Sequence, residues 1–195
     1  DLSGGEPTIR PDLQDIIRYA RDIGFVKIAI ITNGIRMSNP AYAKELVDAG
    51  LNDILFSTHG TTKEEHETLV RVPGSFERIW QSVENISKYP QVELRFNMTV
   101  TEVNYKSIDR MLENAKRFNP SEVNLLVFNG SQKAKDHHKI DSHAIGQEIV
   151  RVLDIYKPLF RIINVRWFPF CLMKGHEDSV QTMWQKMYED KEWDP

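Results

Sequence analysis

The sequence is 195 residues long, 41% hydrophobic and nearly balanced in charge, with 25 basic against 28 acidic residues and a formal net charge of −3. That is enough apolar material to fill the core of one domain; it excludes a disordered chain and gives no general pull toward nucleic acid or an anionic membrane surface. No run of about 18 apolar residues and no signal-peptide pattern occurs, so the expectation is a soluble, cytoplasmic protein, and the single cysteine, Cys171, excludes an internal disulfide and cannot hold a metal cluster alone.

The chain opens DLSGGEPTIRPDL, a glycine pair and a carboxylate just ahead of a helix start at Pro11. Leu13, Ile16, Ile17, Ala20 and Ile23 then form one helical stripe closed by Gly24. FVKIAII reads as a buried strand ending at TNG; a helix follows over residues 39–49, then a second strand, DILFS. Ser75 is positioned to cap a helix carrying Phe76, Ile79, Trp80, Val83 and Ile86. QVELRFNMTV alternates in polarity, with Val92, Leu94, Phe96, Met98 and Val100 on one face and Glu93, Arg95, Asn97 and Thr99 on the other. A helical stripe at Ile108, Met111, Leu112, Ala115 and Phe118 leads to EVNLLVF. The polar stretch NGSQKAKDHHK reads as a surface connection or a lid. Beyond it come a helix capped at Asp141, the strand RIINVRW and a last helix with Val180, Met183, Trp184 and Met187.

Strands alternating with helices predict an α/β fold of parallel strands joined by right-handed crossovers. A doubly wound sheet needs apolar residues on both faces, whereas a barrel carries helices only outside and tolerates polar groups within. The polar face of QVELRFNMTV, with Asn124, Asn164 and Arg166 in the same pattern, favours an incomplete, wide barrel over a sheet whose polar groups merely satisfy one another. Ligands in such folds bind at the carboxyl ends of the strands, here SGGE, TNG, STHG, Asn97 to Thr101, Asn129 with Gly130, and PFC. Gly4 and Gly5 let the main chain approach a ligand, and Glu6 adds a carboxylate suited to an ammonium group. Alone, the tripeptide reads equally as a turn beside a helix start.

SGGEPTIRPDL, followed by a strand ending TNG, a strand ending in serine, GSFERIWQSVENI and a strand leading into TEVNYKSIDRML, closely resembles the radical S-adenosylmethionine (radical SAM) superfamily through residues 1 to about 130. The resemblance implies a partial (β/α)6 barrel over residues 1–167, and a C-terminal extension over 168–195 that looks like the start of an auxiliary domain. It implies two cofactors, SAM and a [4Fe–4S] cluster, and a reaction in which SAM is cleaved and hydrogen is abstracted from a substrate, a small molecule or a peptide. Carried over, Gly4, Gly5 and Glu6 take the methionine amino group of SAM. Ser57 takes the ribose, and Thr32, Asn33, Asn97 and Thr99 make further cofactor contacts. Arg95, Asn164 and Arg166 become polar contacts for substrate inside the barrel. The family's C-x-x-x-C-x-x-C cluster loop lies upstream of GGE and is absent, so the resemblance implies a fragment without its first strand, inactive by itself. A non-catalytic scaffold that kept the barrel is the alternative; an ordinary barrel aldolase or hydrolase is disfavoured, since no lysine nucleophile, triad or metal group stands out.

Cys171 follows the last strand, where some members of the superfamily place a ligand of an auxiliary cluster; a small buried thiol among Trp167, Phe168 and Phe170 is the plainer reading. His59 sits near a ligand site, while His66, His137, His138, His143 and His176 read as surface residues. Met98, Met111, Met183 and Met187 read as core. WQKMYEDKEW reads as an amphipathic helix, its Trp184 and Trp193 marking a lost contact.

Overall fold

The structure is a computed structural model and describes residues 1–128 and 141–181. Its centre is a six-stranded sheet of β1 (Ala29–Thr32), β2 (Asp53–Ser57), β3 (Glu93–Val100), β4 (Glu122–Val127), β5 (Ile163–Arg166) and β6 (Val180–Gln181). The strands lie in the order β1-β2-β3-β4-β5-β6, every neighbouring pair parallel. A doubly wound sheet reverses its order at a switch point. This one never reverses, as winding around an open barrel requires.

The helices are α1 (Leu13–Asp22), α2 (Pro40–Ala49), α3 (Lys63–Val70), α4 (Ser75–Ile86), α5 (Ile108–Lys116) and α6 (Ser142–Tyr156). All but α3 contribute side chains to the core on the apolar face of the sheet. Ile30, Phe56, Phe96, Met98, Val123 and Val165 from the strands and Leu46, Ile79, Met111 and Ile149 from the helices lie in one buried core. Period-two patterning in β3 explains why one face is dry: Leu94, Phe96, Met98 and Val100 are buried, whereas Arg95, Asn97 and Thr99 on the other face are half-buried. Asp141 caps α6 as its sequence predicts, accepting the backbone N–H groups of His143 and Ala144 at 3.0 and 3.1 Å.

Several expectations are corrected. FVKIAII is strand only from Ala29; Phe25 and Val26 are exposed, because the N–H of Phe25 closes the turn that ends α1 by donating to Ala20 O at 3.0 Å. Ile23, assigned to the buried stripe of α1, is exposed. Ser75 does not cap α4: Gly74 holds that position, and Ser75 Oγ donates to Val72 O at 2.7 Å. Val180 belongs to β6 rather than a helix, and the sheet continues past residue 167; Met183, Trp184, Met187, Trp193 and the WQKMYEDKEW segment lie outside the described residues, as do Asn129, Gly130, His137, His138 and the NGSQKAKDHHK stretch. Among the described residues no helix is long and apolar enough to cross a membrane.

Candidate functional site

Leu2 pairs in parallel with the edge of β1, its N–H donating to Ala29 O at 2.7 Å and its carbonyl accepting from Ile31 N at 3.2 Å. The chain therefore delivers Gly4, Gly5 and Glu6 to the carboxyl end of β1. Gly4 and Gly5 have φ of +95° and +55°, a region costly for any residue with a Cβ, and apart from the glycine and its chain neighbours no atom lies within 4 Å of where such a Cβ would stand. The main chain there borders open space.

Glu6 is held rigidly at that edge. Its Oε1 accepts from Thr8 N at 3.0 Å, Thr8 Oγ1 at 2.6 Å and Thr32 Oγ1 at 2.7 Å, and its Oε2 accepts from Asn33 N at 2.7 Å. The predicted residues Glu6, Thr32 and Asn33 thus meet in one hydrogen-bonded unit. Thr8, buried and further tied through its carbonyl to Tyr42 Oη at 3.0 Å and to Arg36, was not foreseen.

Ser57 ends β2 in register with Asn97 on β3, so both side chains leave the polar inner face. Two residues on, Thr99 donates its N–H to His59 Nδ1 at 3.3 Å, and the N–H of His59 donates to His66 Nδ1 at 3.3 Å. The two imidazoles stack with centroids 5.9 Å apart. Burial, assisted by neighbouring His66, pushes His59 down to about 4, and burial also lowers His66. Both rings are therefore neutral at pH 7, with Nδ1 accepting and the proton on Nε2. His66, read as a surface residue, is buried because α3 turns it beneath His59. Gly60 makes this packing possible: a Cβ there would stand 2.5 Å from His66 N.

Asn104 is the second residue that sequence reasoning missed. Fully buried, it donates from Nδ2 to the carbonyls of His59 and Thr99, both at 2.7 Å, and accepts at Oδ1 from Thr101 N at 2.7 Å and Thr101 Oγ1 at 3.2 Å. It clamps the end of β2 to the end of β3. Above the clamp lies a cavity of about 300 Å³ lined by His59, Thr99, Leu69, Val70, Val103 and Phe128, among others.

Elsewhere on the inner face, Arg95, Asn164 and Arg166 are engaged by the chain's own groups. Arg95 meets Asp53 Oδ1 at 2.6 Å and Glu122 Oε2 at 3.4 Å; Arg166 meets Glu122 Oε1 at 3.4 Å and Gln181 Oε1 at 3.0 Å; Asn164 Nδ2 donates to Glu122 Oε1 at 2.7 Å. Lys27 closes the row on Asp53 at 2.6 Å. Cys171 is exposed in a short turn, not the buried thiol expected, and Trp167, four residues before it, is exposed too. His143 is exposed as read from the sequence, but His176 is half-buried, with Nε2 2.9 Å from Asp154 Oδ1. Among the described residues no group of three or more histidine, cysteine or acidic side chains is placed to hold a metal ion.

Comparison with known proteins places this architecture. The chain is 35% identical over 115 residues to an AdoMet-dependent heme synthase of Methanosarcina barkeri, covering 59% of this chain and 32% of that protein. It is 27% identical over 173 residues to a probable GTP 3',8-cyclase of Sulfurisphaera tokodaii, covering 84% of this chain and 54% of that one. The chain thus spans between a third and about half of the length of these relatives. The crystal structure of Streptococcus suis SuiB bound to S-adenosylmethionine superposes with a TM-score of 0.69 at 16% identity, covering 95% of this chain and 43% of that one, and shares its fold. Residues 2–115, more than half of the chain, match the radical SAM superfamily, and the chain belongs to that superfamily.

Proposed function

We propose that this chain forms the SAM-binding wall and the substrate-facing lumen of a radical SAM enzyme, with Gly4, Gly5 and Glu6 gripping the methionyl ammonium. The superfamily's cofactors are SAM and a [4Fe–4S] cluster. The observation that carries the reading is the fixed carboxylate of Glu6. Three donors saturate Oε1, while Oε2 takes only Asn33 N–H, which leaves Oε2 lone pairs for a cation beside an open glycine pair. That donor set fits SAM. The cluster finds no such fit among the described residues, where the one cysteine stands alone and exposed.

The chemistry that bound SAM supplies in this superfamily is a 5′-deoxyadenosyl radical able to take a hydrogen atom from a substrate carbon. The protein's own part is binding, orientation and exclusion of water. Thr8, Thr32 and Asn33 fix the Glu6 carboxylate before the cofactor arrives, so no rotamer freedom is lost on binding. Ser57 offers a hydroxyl to the ribose. The cavity lined by Leu69, Val70, Val103 and Phe128, with the His59 Nε2–H as a neutral donor and Thr99 beside it, suits the apolar face and polar edge of the base. The substrate is a small molecule or a peptide, and the setting is cytoplasmic.

The test is anaerobic reconstitution of the full-length protein with iron and sulfide, followed by SAM binding and reductant-dependent formation of 5′-deoxyadenosine. SAM binding that falls at least tenfold in Glu6→Gln, about the effect of losing one charged hydrogen bond, supports the reading. No 5′-deoxyadenosine from cluster-loaded protein overturns it.

A further inference from the structure

Arg166 ends β5 on the inner face, and strand register fixes its surroundings. Leu126 on β4 stands to one side and Gln181 on β6 to the other, with Thr99 on β3 beyond Leu126. All four are half-buried, and they form the row nearest the carboxyl ends that β3 to β6 share. The next position of the same parity on β4 is the exposed Phe128. A guest entering from the mouth on this side of the sheet meets the row first.

Within it, Arg166 is held far more loosely than Arg95. Both Nε and Nη2 of Arg95 reach Asp53 Oδ1, at 2.7 and 2.6 Å. Arg166 Nε donates instead to a neutral partner, Gln181 Oε1, at 3.0 Å. Its Nη2 stands 3.4 Å from Glu122 Oε1, longer than a well-made N–H···O bond, and that oxygen already accepts from Asn164 Nδ2 at 2.7 Å. Among the described residues Nη1 makes no hydrogen bond. The edge of the guanidinium between Nη1 and Nη2 therefore keeps donors open.

Burial, with Arg95 nearby, pushes the Arg166 guanidinium below its ordinary range in spite of Glu122, so the chain's own charge does not repay the lost hydration. A partly dehydrated cation with a free planar fork suits a carboxylate or a phosphate. Beside it, Leu126 and Phe128 offer apolar surface for a carbon skeleton.

We propose that Arg166 binds the substrate by an anionic group, a carboxylate or a phosphate taken by Nη1 and Nη2, with the carbon body of the substrate lying over Leu126 toward β3. This rests on the reading of the inner face as the lumen of a radical SAM enzyme. Gln181 steadies the guanidinium from the Nε side and leaves the fork to the guest. Only the long contact to Glu122 has to yield on binding. The wall that carries Glu6, Ser57, Asn97 and Thr99 stays with the cofactor, and the two ligands meet across Leu126.

The test uses the full-length, 15N-labelled protein saturated with SAM, so that the site for the cofactor's own carboxylate is filled. It is titrated with hydrocinnamate and with phenyl phosphate; hydrocinnamamide and phenethylammonium are neutral and cationic controls of similar shape. The Nε–H resonance of Arg166, identified by its loss in Arg166→Lys, is expected to move with an anion and not with the controls, and the tighter anion tells carboxylate from phosphate. Arg166→Lys, which loses the fork, and Arg166→Gln, which loses the charge as well, are expected to weaken that anion about tenfold or more, with SAM affinity within twofold of the parent. Arg166→Lys keeps a cation beside Glu122 and carries the test if Arg166→Gln fails to fold. The proposal is overturned if neither anion binds, if the controls bind as tightly, or if the variants bind the anion as the parent does. It is also overturned if SAM affinity falls in step, which would give Arg166 to the carboxylate of the cofactor. Failure of the parent protein to bind SAM sinks the functional reading; SAM binding with silent anions sinks only this one.

Discussion

The N–H of Asn33 donates to Glu6 Oε2 at 2.7 Å across 27 residues of sequence, tying the GGE turn to the end of β1. Replacing that oxygen by an NH2 group sets donor against donor. Glu6→Gln is therefore expected to lose about 1–3 kcal/mol of stability in urea denaturation, together with the drop in SAM affinity. Glu6→Ala, which orphans the hydroxyl of Thr32 as well, is expected to lose more. A Glu6→Gln protein with parental stability and parental SAM affinity would remove Glu6 from both roles.

Arg95 illustrates how a polar inner face is divided between structure and recognition. Its guanidinium bridges Asp53, whose side chain is only 1% exposed, and Glu122 on the far strand. Arg95→Met leaves the Asp53 carboxylate with only the exposed Lys27, and a buried charge stripped of its main partner costs about 3–5 kcal/mol. Arg95→Lys is expected to recover only part of this, since an ammonium lacks the planar fork that spans two carboxylates. Thermal melts decide the matter: a large fall in Tm marks a structural bridge, whereas an unchanged Tm with weakened substrate binding marks a substrate contact.

The period-two pattern in β3 made the division of the sheet into a dry and a polar face legible, because each residue from Leu94 to Val100 lies on the face its parity assigns. The Glu6 site was legible only through the resemblance to a superfamily, since a glycine pair with a carboxylate is ordinary turn material. What failed did so for physical reasons. α3 buries little besides His66 and so shows no apolar stripe; its one local signal is the pair Thr62 and Glu65, with Thr62 Oγ1 accepting from Glu65 N at 3.2 Å. Phe25 and Val26 look like strand residues in composition but serve a helix-ending turn. Asn104 was missed because its local bonds, to Thr101 and Thr99, are those of an ordinary turn, while the partner that makes it a clamp, His59, comes from another strand end 45 residues away in sequence.

Asn104 carries the next prediction. Its amide satisfies two backbone carbonyls and two donors with no exposed surface of its own, so Asn104→Leu leaves buried polar groups on both strand ends. A loss of about 2–4 kcal/mol is expected, with faster amide hydrogen exchange concentrated at residues 58–61 and 99–104. Uniform destabilisation with no local change in exchange would contradict the clamp.

His59 and His66 make the mouth sensitive to acid, and the sign is determined by their neutral forms. Each accepts a backbone N–H at Nδ1, so protonation there breaks a bond as well as charging a buried ring. The folded-state value of His59, about 4, lies below the ordinary 6.5, so the unfolded chain binds the proton more readily across that interval. The stabilisation is fully present above about pH 6.5 and is lost as the pH falls toward 4, at a slope of at most about 1.4 kcal/mol per pH unit for each imidazole. His66 is lowered in the same direction by burial and adds to the slope. Urea midpoints measured from pH 7.5 to 4.5 should therefore fall steeply in the parent and less steeply in His59→Gln, whose side-chain oxygen is able to accept from Thr99 N without titrating. Equal slopes in the two proteins would show that the imidazole at 59 does not govern the acid response.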